Sequence, residues 1–250
     1  MLSTENLSVQ LYTVREALSD DVDATLARLA AAGYQLVEPF AFTKFFDGLK
    51  SGLAAHGLSA PTTHASLVDA DDVDDTLAAA KELGIQTVID PHTDPKRWSS
   101  AEEVAKIAAS LNAAAEKAAA HGLSVGYHNH AFELENSIDG RHALEVFADH
   151  LDPAVRLEVD TYWAYAGGAD VPALLGRLGE RVLAIHIKDG DGTKDVKNQT
   201  AVGSGSLPVW DYIDAVPNLG YGVVELDDSA TDRFVAVEES FSYLSKGRNA

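Results

Sequence analysis

The chain has 250 residues, 46% of them hydrophobic, enough for one large domain with a full core. Its 19 basic and 39 acidic residues leave a net charge of −20, a surface that repels phosphate backbones and anionic membranes and argues against nucleic-acid or membrane partners. The absence of cysteine excludes a disulfide framework and a thiolate metal site, and it fits a reducing cytoplasm. The start "MLSTENLSVQL" has no basic run and no long apolar stretch, so no signal peptide is expected. No apolar run reaches the roughly 18 residues of a membrane span.

Eight short apolar runs read as strands: 7–14, 34–40, 58–65, 86–92, 123–130, 155–161, 181–189 and 221–228. Pro61 weakens the third. Ala- and Leu-rich helical patterns fill the gaps. One has Ser19 or Asp20 as N-cap and stops at Gly33; another begins in "DADDVDD" and stops at Gly84. A long one starts at Ser99 or Ser100 and stops at Gly122. The acids of "DADDVDD" suit a helix dipole, and their spacing is wrong for a calcium loop.

Strands alternating with helices give either a closed (β/α)8 barrel or an open doubly wound sheet. No G-x-G-x-x-G follows the first strand, which removes the strongest dinucleotide cue. Glu38, His64, His92, His128, Asp160, His186 and Glu225 all fall near the C-terminal ends of expected strands. A barrel gathers such ends at one mouth. The expected fold is therefore a single-domain TIM barrel over residues 1–250.

Side chains alternate faces along a strand. His128 shares a face with His130, Glu158 with Asp160, His186 with Lys188, and Glu225 with Asp227. If those faces point inward, imidazoles and carboxylates converge. Paired interior carboxylates are costly to desolvate, and a cation among them offsets the repulsion. Mixed nitrogen and oxygen donors suit Mn²⁺, Co²⁺, Mg²⁺ or Zn²⁺.

The segments "GYQLVEPF", "GYHNHAFEL", "LEVDTYWAYAGG", "AIHIKDGDG", "VGSGSLPVW" and "GVVELDD" together resemble the xylose-isomerase-like TIM-barrel superfamily of sugar isomerases and epimerases. That superfamily also contains inosose dehydratase and apurinic endonuclease. The resemblance spans essentially the whole chain. It implies a divalent metal held by His128, Asp160, His186 and Glu225. It departs at His128, where epimerases carry a glutamate that pairs with the last-strand glutamate as a second base. The inosose dehydratase branch resembles "YHNH" there.

The expected chemistry is proton abstraction beside a carbonyl, with Glu225 as both ligand and base and His130, Lys188 or Glu158 as the second proton-transfer group. Lys188 can instead steady a substrate oxygen, and Glu158 can instead pair with Arg156 or Arg181. Trp163, Tyr162, Phe40 and Phe42 are expected as an apolar wall for a sugar ring. Glu38, His64 and His92 are expected along the opposite rim, bonded to hydroxyls. Residues 190–207 read as a mobile connection or a lid. Phe45, Phe46 and Trp98 are candidates for packing a homodimer partner across the mouth. His56, His121, His142 and His150 read as surface residues.

The expected function is a divalent-metal-dependent sugar isomerase or epimerase acting on a ketose or keto-sugar. The rivals are a dehydratase or lyase acting by β-elimination and a non-catalytic sugar-binding barrel. Phosphodiester cleavage at abasic DNA is disfavoured by the acidic surface. No glycine-rich nest or basic cluster announces a phosphate, which favours an unphosphorylated sugar.

Overall fold

A computed structural model describes residues 2–248. Seven parallel strands form one sheet. In spatial order they are Leu7–Val9, Tyr221–Val224, Val182–Ile187, Arg156–Asp160, Ser124–His128, Thr87–Asp90 and Thr62–His64. The first and last strands in sequence are therefore neighbours, as closure into a barrel requires.

The expected second strand closes the ring, but as isolated bridges rather than a ladder. Residues 36–40 pair through Gln10↔Glu38 on one side and through Leu36↔Ser59 and Phe40↔His64 on the other. Pro39 carries no N–H, so only its carbonyl takes part, accepting from the His64 N–H at 2.9 Å. The other expected strands are present but shorter. The run at 7–14, for example, ends as a strand at Val9 and continues as a 3₁₀ turn over Leu11–Val14.

Helix punctuation largely follows the sequence. Ser100 caps the Ala101–His121 helix by accepting the Glu103 N–H, and Gly122 ends it at φ +75°. The Val22–Ala32 helix is capped by Asp21 rather than Ser19 or Asp20, because a separate short helix, Arg15–Asp20, comes first. Trp98 is fully buried, with its ring against Tyr127 and Phe147 and its Nε1 donating to Thr93 Oγ1 at 2.8 Å. It is thus a core residue and is not available to a dimer partner. Among the described residues no helix is long and apolar enough to cross a membrane.

Candidate active site

The strand ends bring the expected polar residues together in two tiers. The lower tier is a closed floor. Glu38 and Glu158 are buried there, and neither lines the cavity above. Glu38 accepts from Gln10 Nε2 at 2.9 Å and from Thr62 Oγ1, and its Oε1 lies 2.9 Å from His186 Nε2. Its oxygens are thus committed internally, which corrects the expectation of Glu38 as a rim group for hydroxyls. Glu158 Oε2 faces three imidazoles: His64 Nε2 at 2.7 Å, His186 Nε2 at 3.0 Å and His128 Nδ1 at 3.1 Å. Glu158 therefore pairs with histidines rather than with an arginine. Arg181 instead donates to the carbonyls of Leu151, Asp152 and Val155.

The upper tier holds His128, Asp160, His186 and Glu225. One ligand atom from each lies within 4.8 Å of all the others. Asp160 Oδ1 caps the following turn by accepting the Trp163 N–H at 2.8 Å. Its Oδ2 is buried, and the Lys188 ammonium lies 2.9 Å from it. His128 Nδ1 and His186 Nε2 are turned to the floor carboxylates, so His128 Nε2 and His186 Nδ1 face Asp160 Oδ2 at 3.8 Å and Glu225 Oε2 at 2.8 Å. Carboxylates behind imidazoles in this way fix the ring orientation and tautomer of metal-binding histidines. The donor set, two imidazoles and two carboxylates drawn to one point, therefore fits a divalent ion, which would share these carboxylates with the Lys188 ammonium. A deeper group, His64, His128, Glu158 and His186, is equally compact. Its carboxylate does not reach the cavity, whereas Glu225 lines it.

Lys188 is the unexpected centre of the upper tier. Its ammonium is fully buried and lies 2.6 Å from Glu225 Oε2, 2.7 Å from Asp227 Oδ2 and 2.9 Å from Asp160 Oδ2. It is not a solvated rim lysine. Burial opposes its charge, but Asp160, Asp227 and Glu225 outweigh burial and hold its pKa well above the usual range. Burial also opposes ionisation of Glu225, yet Lys188 and His186 hold that carboxyl well below its ordinary value. Burial pushes Asp160 up to about 6. Burial, helped by His186, depresses His128 well below the normal histidine range, so it stands neutral, as a metal ligand must. His186 is different: Glu158 and Glu225 overcome burial and hold it charged. It must give up that proton before Nδ1 can serve as a ligand.

Above these tiers opens a cavity of about 560 Å³. His64, His92, His130 and Asp227 line it on the polar side, and Tyr12, Phe40 and Phe42 on the other. His130 is held down to about 4 by burial and by Lys188, so its imidazole is neutral; its Nδ1 is buried without a partner. The expected aromatic wall is only partly confirmed. Tyr162 is buried and donates to the Thr193 carbonyl at 2.8 Å, so it braces a loop. Trp163 does not line the cavity; its ring lies under His130 at 6.4 Å, and the Lys188 ammonium sits 5.7 Å from its centre.

Several participants were not read from the sequence. Gln199 is buried and clamps Asp227, accepting its N–H at 2.7 Å and donating Nε2 to its Oδ2 at 2.8 Å. Glu133 is buried, accepts from Tyr127 Oη at 2.9 Å and from the His130 N–H at 2.8 Å, and is pushed up to about 8 by burial. Gln10 carried a usable signal, a polar residue inside the first apolar run, as Glu38 is inside the second. Asp189 accepts the N–H groups of Gly203, Gly205 and Leu207. The end of the 190–207 segment, from Gly203 to Leu207, is therefore hydrogen-bonded to the barrel through Asp189.

Comparison with known proteins adds the following. The profile of the Xylose isomerase-like TIM barrel family matches residues 8–246. No match is found among curated proteins. A sugar phosphate isomerase/epimerase from Parabacteroides distasonis superposes with a TM-score of 0.78 at 23% identity, covering 97% of this chain and 94% of its own. The IOLI protein with a bound zinc atom gives 0.73 at 16% identity, covering 98% and 100%. A probable 3-DHS dehydratase, AsbF, from Bacillus anthracis gives 0.76 at 12% identity, covering 97% and 100%. At these identities the likeness concerns the fold.

Proposed function

The chain belongs to the Xylose isomerase-like TIM barrel family, and we propose that it is a divalent-metal-dependent sugar isomerase or epimerase that removes a proton beside the carbonyl of a ketose or keto-sugar. The observation that carries this reading is the pairing of Lys188 with Glu225 at 2.6 Å, beside His128, Asp160 and His186 at the cavity floor. Those two histidines, Asp160 and Glu225 would hold the ion. When bound, the ion supplies Lewis acidity that stabilises negative charge on a substrate oxygen. The donor mix accepts Mn²⁺, Co²⁺, Mg²⁺ or Zn²⁺. The zinc described for the IOLI protein supports the same view.

This chain's own residues supply the proton chemistry. Glu225 stays ionised and reaches the cavity, so it is placed to accept the proton from carbon. Lys188 stays protonated on the same carboxylate but does not line the cavity, so it acts through Glu225, holding that carboxylate ionised and in place. His130, neutral at the wall, presents imidazole nitrogen to a hydroxyl. Glu158 and Glu38 orient the histidines and do not touch substrate.

One feature favours a second reading, β-elimination by a lyase or dehydratase. A histidine stands at 128, where the epimerases this chain resembles carry the glutamate that pairs with the last-strand glutamate as a second base. The two outcomes separate in D₂O. Protein reloaded with Mn²⁺ and incubated with ketoses and keto-sugars should place deuterium beside the carbonyl, and Glu225→Gln should abolish exchange. Loss of water or of an aglycone marks the lyase. Absence of exchange and elimination with every metal and sugar overturns the catalytic reading.

A further inference from the structure

We infer that the substrate is uncharged and carries a second ring beyond the reacting sugar, and that Tyr12 and Phe40 hold this ring. The inference rests on the reading that the cavity receives a keto-sugar, and it assigns the part of the cavity which the proton chemistry leaves unused.

Position follows from alternation. Glu38 lies on the closed floor, and Phe40, two residues further on the same face, reaches the cavity. Gln10 bonds Glu38 below, and Tyr12 meets Phe40 above, edge to face, with ring centres 5.2 Å apart at 89°. Phe45 extends the aromatic row at 6.0 Å from Phe40. Arg15 covers one face of Tyr12, its guanidinium 4.2 Å from the ring centre. Tyr12 is nonetheless 39% exposed, and among the described residues its hydroxyl makes no hydrogen bond. An exposed aromatic at a cavity mouth, braced from behind, offers apolar surface to a ring.

Size points the same way. A cavity of about 560 Å³ falls within the range, about 300–1,000 Å³, that encloses a drug-sized molecule. That volume leaves room for more than a single sugar ring. Charge then limits what the aromatic end accepts. The cavity is lined by Asp72, Glu225 and Asp227 and by no lysine or arginine. The nearest buried cation, Lys188, is already engaged by three carboxylates. Arg15 and Lys44 lie in a separate groove on the outer side of Phe40. A phosphate or carboxylate on the far end of the substrate would be desolvated beside Asp72 and Asp227 with no lysine or arginine of the cavity wall to pair with, which opposes binding. A glycoside of an uncharged keto-sugar meets every condition.

The test is equilibrium binding by calorimetry on the Mn²⁺-loaded protein, with three matched series: common hexoses, their 6-phosphates and their phenyl glycosides. The best phenyl glycoside should bind about tenfold more tightly than the best free hexose, with the phosphates weakest. Tyr12→Ala should erase the phenyl advantage. Tyr12→Phe, which keeps the ring, should retain it, and Phe40→Leu, which keeps apolar bulk, should reduce it. Tightest binding by the phosphates overturns the inference. So does failure of every uncharged glycoside to bind, or a phenyl advantage that is absent or survives Tyr12→Ala. Failure of deuterium exchange with the phenyl advantage intact would remove the catalytic reading and leave this one standing.

Discussion

Glu158 Oε2 lies between 2.7 and 3.1 Å from nitrogens of His64, His128 and His186, so one oxygen sets three rings. Glu158→Gln keeps the volume but removes the charge and puts an amide donor among imidazole N–H groups. Mn²⁺ affinity should fall by about 10–100-fold, read by calorimetry. Unchanged affinity would mean that the rings are held by packing alone. Glu133 gives a pH prediction. Its folded pKa, pushed up to about 8, exceeds the ordinary 4.5, so the folded state holds a proton that the unfolded chain releases. Stability from this group is present below about pH 4.5 and is lost as pH rises through about 8. The melting temperature of wild type should therefore fall over that window more than that of Glu133→Gln. Parallel pH profiles would show that Glu133 is ionised throughout. Alternation in the sequence correctly placed His128, Asp160, His186 and Glu225 on facing strand ends. It put Glu38 on the rim and left Glu158 among the proton-transfer candidates, because periodicity gives the face of a strand and not the depth along the barrel axis.

At the scale of elements, Asp189 stitches the 190–207 segment to the barrel, and Gln199 in that segment clamps Asp227 beside Lys188. The loop is thus structural support for the site. Its glycines were legible as loop composition, but the carboxylate they wrap was not, since that contact spans 16 residues of sequence. Gly205 is the tightest point: an added Cβ would lie 2.1 Å from Asp189 Oδ1 and 2.3 Å from the Gly190 nitrogen. Gly205→Ala must push the loop off its anchor, with a destabilisation of about 1–3 kcal/mol. A loss of about 2–4 °C in melting temperature per kcal/mol applies to a chain of this size. Faster amide exchange at Gly203 and Leu207 should accompany it. Gly176 is the control. It lies inside the Val171–Leu178 helix with nothing within 4 Å, so Gly176→Ala should raise the melting temperature by helix propensity. Equal behaviour of the two variants would show that Asp189 does not anchor the loop. The bridged segment at 36–40 has a related lesson. The sequence shows its apolar pattern, while Pro39 denies it a full ladder, so it closes the barrel with few backbone bonds.

For the whole molecule, the parallel strands and their alternation with helices were readable because the strands are apolar runs ended by a glycine, proline or polar residue, whereas the expected second strand forms only isolated bridges. The net charge of −20 was equally plain, and it has two physical consequences. Exposed pairs such as Lys106 with Glu102 and Arg248 with Asp211 contribute little individually, and salt weakens them. The excess of acids repels itself across the surface, and salt weakens that too, as the screening length falls from about 10 Å at 0.1 M to about 3 Å at 1 M. Repulsion dominates at this charge, so the melting temperature should rise between low and high sodium chloride; a fall would mean that the ion pairs prevail. The buried cluster of His128, Asp160, His186 and Glu225 is shielded from this screening. Surface carboxylates will collect Mn²⁺ in dilute buffer and release it at 1 M salt, while the cluster keeps its ion. A titration at high salt should therefore converge on a single tightly held ion per chain, lost on Asp160→Asn. Retention of that ion in the variant, or of several ions in wild type, would show that the metal sits elsewhere than at these four strand ends.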